Sequence, residues 1–294
     1  MAEQKIELRK IRDFGENLND TLLFIRQNFK PLVKSFFAIC AVFMVAKAIL
    51  SGLNQFETFN SFSQIFKERM TKVPSTSVMV VIKPILTLLF VLITMVSMQV
   101  ALGAYIKYYA LHDGLKPGIE EVWSIFKKYF FKILLYSVPL GLYLIIGFAL
   151  CIFPGIYLWV VFMPFPLIVM IEETQFADSW RRCFELIREN FWISLGIYLI
   201  AYLIYNFISA FIGLGVGAIM GIGAYLTTDD LATTAAIITS FLETFSYCFY
   251  IIFFICISFH YFTLVEIKEG TGMLRRINSI GTDSNNVTNS EEQY

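Results

Sequence analysis

Apolar residues gather along this chain into long runs separated by short basic, aromatic stretches. An α-helix needs about 20 apolar residues to cross roughly 30 Å of hydrocarbon. Six runs are read as such spans, at 32–53, 85–105, 133–153, 156–171, 193–212 and 237–261. The apolar stretches holding the second and fifth extend over 78–111 and 193–226, about 50 Å each as helix. They must project beyond the bilayer or break, and Pro84 and the 213–217 glycine cluster are the expected break points. Phe153-Pro154-Gly155 reads as the tight turn between the third and fourth spans. Within 54–77, Phe56, Phe59, Phe62 and Phe66 recur at helical spacing, which predicts an amphipathic helix on the lipid surface.

The polar borders repeat. Ile25-Arg26-Gln27-Asn28-Phe29 and Ile187-Arg188-Glu189-Asn190-Phe191 each precede a long run, and Ile125-Phe126-Lys127-Lys128-Tyr129-Phe130 is a looser copy. Leu18, Leu22, Ile25 and Phe29 share one helical face, as do Trp180, Phe184, Ile187 and Phe191. The expectation is three units, 15–111, 117–171 and 174–265, each an in-plane helix followed by a helical hairpin. Two spans per unit keep the copies parallel, related by rotation about the membrane normal. Arg26, Lys127, Lys128, Arg181, Arg182 and Arg188 would then face anionic headgroups, with Asn28 and Asn190 bonding backbone at each bend.

Composition agrees with this pattern. Apolar residues make up 57% of the chain and charged ones 16%, with mean hydropathy +0.67, whereas a soluble domain is about a quarter charged. The fold class expected is all-α integral membrane, with a six-span domain over 1–265. The remainder, 266–294, is expected to be a cytoplasmic tail, and its Ser, Thr, Asn and Gly content over 271–294 predicts disorder. Little chain is left for a soluble catalytic domain. The roughly thirty mixed residues before the first run predict no cleavable leader. All 23 Lys and Arg residues except Lys47, Lys67, Arg69, Lys72 and Lys83 fall on one side of this topology. That asymmetry predicts cytoplasmic termini. The five cysteines lack paired spacing and read as small apolar side chains.

Charged and polar residues inside the spans are the candidate functional positions, because an unpaired charge in hydrocarbon costs at least about 2.5–3.5 kcal/mol. They are Lys47, Gln99, Asn206 and Glu243. Lys47 and Glu243 could pair, but separate reach to the outer headgroups is the expectation. Gln99 and Asn206 read as interhelical hydrogen-bond partners. Gly213, Gly217 and Gly221 form a small-residue stripe, expected to pack internally, with a homo-oligomer face as the alternative. Glu172-Glu173 is expected to cap the third in-plane helix and to meet Arg181 or Arg182. His260 is expected at the interface. No HExxH, GxSxG or phosphate-cradling loop occurs. The chain therefore predicts no catalytic, cofactor or metal site, and no nucleic-acid partner.

Pro154-Gly155-Ile156-Tyr157, a proline at 164 or 166, Glu172 or Glu173, Ser179-Trp180, Leu186 and Asn190-Phe191-Trp192 form a further pattern. It resembles the membrane domain associated with glycerophosphodiester phosphodiesterases and the YciC-like inner-membrane proteins. The resemblance implies a bacterial cytoplasmic-membrane location. It does not carry the phosphodiesterase activity, which resides in a soluble barrel that nothing here resembles. Three functional expectations follow. The leading one is a non-enzymatic protein that organises or senses the bilayer or scaffolds envelope proteins, with anionic lipid as its partner. The others are a transporter or channel for a lipid-like or small amphiphilic molecule, and a subunit of a larger membrane complex.

Overall fold

The computed structural model describes residues 6–67, 78–227 and 231–270, and its regular elements there are all helical. The helices are α1 (Phe14–Lys67), α2 (Val78–Leu111), α3 (Ile119–Leu150), α4 (Ile152–Phe162), α5 (Phe165–Ile171), α6 (Phe176–Ile187), α7 (Phe191–Thr227), α8 (Leu231–Ser246) and α9 (Tyr250–Glu269). Among the described residues, six stretches are long and apolar enough to cross a membrane: Phe14–Phe56, Ile82–Leu111, Ile119–Leu150, Ile152–Ile171, Phe176–Gly215 and Ile238–Glu269.

Several boundaries differ from expectation, each for a local reason. α1 runs through Pro31 without a break, so the first amphipathic segment and its span are one helix. A proline inside a helix orphans the carbonyl four residues back. Here that carbonyl belongs to Gln27 and accepts a hydrogen bond from Lys116 Nζ at 2.9 Å. The second amphipathic segment is likewise continuous with its span in α3. Only the third is set off from its span, as α6, by a 3-10 turn at Arg188–Asn190 whose flanking residues keep right-handed helical angles. α1 continues to Lys67 in place of a separate surface helix over 54–77. Residues 68–77, and the side chains of Phe59, Phe62 and Phe66, lie outside the described residues, as does the 271–294 tail.

Neither expected break occurs in α2 or α7. Pro84 costs α2 one backbone bond but not its continuity. Glycine lowers helix propensity by only about 1 kcal/mol, and α7 is held along the 213–217 stretch by α8, with Leu242 beside Gly213 and Gly217. The α3–α4 reversal occurs at Cys151, two residues before the expected turn. Pro154 then sits in the first turn of α4, where its missing N–H is not needed. Gly155 serves close approach instead, since a Cβ there would lie 2.4 Å from the Phe148 ring. The fourth span breaks between Phe162 and Phe165, where Pro164 and Pro166 remove two of three consecutive donors. The sixth divides into α8 and α9 at a 3-10 turn, Tyr247–Phe249, and ends where Gly270 adopts φ 60° and donates to Glu266 O at 2.9 Å.

α9 is the centre of the bundle. Every residue from 250 to 266 except Ile252 is buried, and the helix packs against α1, α2, α6 and α7. A helix apolar on all faces is one buried on all faces. α3 and α7 lie at the periphery. They expose Phe131, Leu135, Leu142, Ile145, Trp192, Phe207 and Phe211, as expected of sides turned to acyl chains.

Candidate functional site

Polar side chains concentrate in three places. The first is a seam between α1 and α8. Lys47, Ser51 and Gln55 recur every four residues and so line one face of α1, and Thr239 and Glu243 do the same on α8. Lys47 Nζ donates to Glu243 Oε2, which also accepts Ser51 Oγ at 3.0 Å. Gln55 Nε2 donates to Glu243 Oε1 at 2.9 Å, and Gln55 Oε1 accepts Thr239 Oγ1. Lys47 Nζ also stands 5.3 Å from the centre of the Tyr247 ring. Separate reach to headgroups is therefore not what Lys47 does: its side chain is buried and spent on α8. Gln99 joins α2 to α9 by donating to Tyr250 OH at 3.2 Å. Asn206 bonds the Tyr202 carbonyl of its own helix, so the interhelical role expected of it is not the one observed.

The second concentration is a girdle at the end of the bundle where α1, α3 and α6 begin. Lys107, buried near the end of α2, donates to Met170 O and Glu173 Oε1, both at 2.6 Å, and to Tyr129 OH at 2.7 Å. Glu173 Oε1 also accepts Tyr129 OH at 2.8 Å and Lys128 Nζ at 3.4 Å. Glu173 reaches this position from a left-handed backbone, φ 54°, uncommon for a residue with a Cβ. The Lys107 hydrogen bond, then that of Tyr129, holds its carboxyl at about 2, against an ordinary 4.5. Lys132 Nζ donates to Thr174 O at 2.9 Å.

Glu172 turns the other way. It meets Arg182 at 3.2 Å and accepts Tyr261 OH at 3.0 Å. Arg182 also binds Glu185 and Glu269, tying α6 to the end of α9. Two expectations are corrected here. Arg182 does not face headgroups, since three carboxylates occupy it. The Glu172-Glu173 pair does not cap α6, whose N-cap is Gln175 and carries no side-chain cap. The other cations expected at the interface, Arg26, Lys127, Lys128, Arg181 and Arg188, are exposed. Lys127 lies over Trp123 and Arg181 pairs with Asp178 at 3.0 Å.

Two basic residues escaped sequence reasoning. Lys107 was hidden in the expected basic border, although it interrupts an otherwise apolar run and so carried a signal. Arg12 folds the N-terminal segment onto the bundle through Leu8 O at 2.8 Å, Lys10 O at 3.1 Å, Glu7 O and Asp20 at 2.8 Å. Nothing in the local sequence marks it.

The third place is the core beside α9. His260 is buried, not interfacial, and its Nε2 lies 2.8 Å from Ser194 Oγ. The Tyr198 ring meets it edge-on. The paired asparagines also part company. Asn28 is buried, donating to Phe24 O and accepting Tyr105 OH across to α2, while Asn190 lies in the 3-10 turn with its carbonyl bonded by Ser194. Gly213 and Gly217 face Leu242 of α8, and the surroundings of Gly221 lie outside the described residues. Among the described residues, no three His, Cys, Asp or Glu side chains stand together as a metal site.

No protein-family model, curated protein or solved structure matches the chain.

Proposed function

We propose that this is a non-enzymatic, multi-pass protein of the bacterial cytoplasmic membrane that engages anionic lipid at its cytoplasmic face, organising or sensing the bilayer or scaffolding envelope proteins there. Both termini lie in the cytoplasm, and three related units build the bundle. The observation that carries the reading is the exposure of Arg26, Lys127, Lys128, Arg181 and Arg188 in the polar borders of the apolar helices, beside the exposed carboxylates Glu120, Glu121, Asp178, Glu185 and Glu189. Cations at that level attract anionic headgroups by about 1 kcal/mol each. A core filled by α9 favours a solid support over a passage. The location also rests on the Pro154-to-Trp192 resemblance. The test is reconstitution in vesicles of mixed phosphatidylglycerol and phosphatidylcholine, followed by analysis of the lipids retained on extraction. Enrichment of phosphatidylglycerol over the bulk ratio supports the reading, and an unchanged ratio overturns it.

A transporter for an amphiphilic molecule is the second reading, favoured by the Lys47–Ser51–Gln55–Glu243–Thr239 seam. Uptake abolished by Lys47→Leu with the fold intact would support it.

A further inference from the structure

The Lys107–Glu173 cluster has more cationic character than one carboxylate needs, and it sits at the top of an apolar track. Lys107 Nζ, Lys128 Nζ and Tyr129 OH converge on a single oxygen, Glu173 Oε1, and Lys132 lies one helical turn along from Lys128. Three donors around one oxygen is the arrangement that a phosphate oxygen takes from lysine and tyrosine. The carboxylate occupying it belongs to a link residue in a left-handed conformation, and its side chain is 55% exposed. Below the lysines, Phe131, Leu135, Val138, Leu142 and Ile145 follow at intervals of three and four along α3, all exposed. That spacing makes one continuous stripe running away from Lys128.

We infer that this corner of the bundle is a binding site for one anionic phospholipid, whose phosphate takes the donors now held by Glu173 and whose acyl chain lies along the Phe131–Ile145 stripe of α3. Glu173 is then an internal competitor: its carboxylate fills the phosphate position when no lipid is bound and swings out when one is. The site deepens the proposed function and rests on that reading. It assigns the lipid contact to named residues and gives it an on-off element. Lys107 supplies the buried charge, and Lys128, 63% exposed, is the donor that meets the incoming lipid first.

The test uses the full chain, purified in mild detergent and titrated with phosphatidylglycerol or phosphatidylcholine, with native mass spectrometry counting bound lipids. Wild type should bind one phosphatidylglycerol more tightly than any phosphatidylcholine. Glu173→Gln keeps the hydrogen-bonding shape but removes the competing charge, and should tighten phosphatidylglycerol binding about tenfold, the value of one charge-assisted hydrogen bond. Lys128→Ala should weaken it, and phosphatidylcholine binding should follow neither change. Melting temperature reports the folding of each variant independently. A parallel arm adds inorganic phosphate, which should not displace the lipid at equal concentration, and displacement would overturn the lipid assignment. If wild type prefers phosphatidylglycerol but Glu173→Gln and Lys128→Ala leave its affinity unmoved, this site is wrong and the general reading stands. If no variant, nor wild type, distinguishes the two lipids, both fail.

Discussion

Lys47 of α1 and Glu243 of α8 stand 196 positions apart in the chain and form an ion pair in which the lysine is buried and the carboxylate is 44% exposed. The pair is supported on both sides, by Ser51 and Gln55 from α1 and by the Tyr247 ring after α8. It fastens the first span to the last, and it makes the separate seam between them intelligible as structure before any question of transport.

Removing one partner leaves the other charge stranded. Lys47→Met or Glu243→Gln alone should lower stability by about 1–3 kcal/mol, while the double substitution should cost less than the sum. Unfolding in mixed micelles measures this. Additive losses would mean that the two residues act independently.

Glu173 gives a pH dependence of defined sign. Its folded carboxyl, held at about 2 by Lys107 and Tyr129, is a stronger acid than the ordinary carboxyl at 4.5. Its contribution is whole above about 4.5 and is lost as pH falls toward about 2. The melting temperature of wild type should drop across that interval more steeply than that of Glu173→Gln. Parallel curves would mean that the Glu173 carboxylate contributes no such stability.

Much of the fold can be read from run lengths alone. The six apolar stretches suffice because hydrocarbon thickness sets a length scale that a sequence displays directly. Junctions are less legible. Pro31 looks like a break and is not one, because the carbonyl it orphans is satisfied by Lys116, 89 positions away. Pro164 and Pro166 do break a span, since two donors vanish within one turn. The end that gathers most Lys and Arg was visible from their distribution, although it gathers most Asp and Glu as well. The division of labour within it was not: Arg182 is consumed by carboxylates from the 172–175 link, α6 and α9, while its neighbour Arg181 is exposed. Only the tertiary arrangement distinguishes them.

Arg182 should therefore behave as a structural residue. Arg182→Met leaves Glu172 and Glu269 without their shared cation and should cost about 1–2 kcal/mol, less than a fully buried pair because the carboxylates are partly exposed. Hydrogen exchange should rise across 172–187 in particular, where α6 is tied down. Unchanged protection there would refute the link between α6 and α9.

The glycines of α7 offer a contrast within one helix. A Cβ on Gly217 would meet Leu242 at 3.2 Å, whereas one on Gly215 meets nothing within 4 Å. Gly217→Leu should destabilise by about 1–3 kcal/mol through overpacking against α8. Gly215→Leu should stay within about 0.5 kcal/mol of wild type. Thermal unfolding in detergent compares them, and equal effects would place the α7–α8 contact elsewhere.

Retention of anionic lipid by the exposed cations Arg26, Lys127, Lys128, Arg181 and Arg188 is the property on which the proposed function turns. Its most direct measurement is the phosphatidylglycerol fraction retained by the purified full-length protein after extraction from vesicles of known composition, for wild type and for a variant carrying Arg26→Gln, Lys127→Gln, Lys128→Gln, Arg181→Gln and Arg188→Gln. Enrichment above the bulk fraction is expected for wild type and its loss in the variant, with the helical fold retained. Wild type retaining lipid at the bulk ratio, or a variant as enriched as wild type, would contradict it.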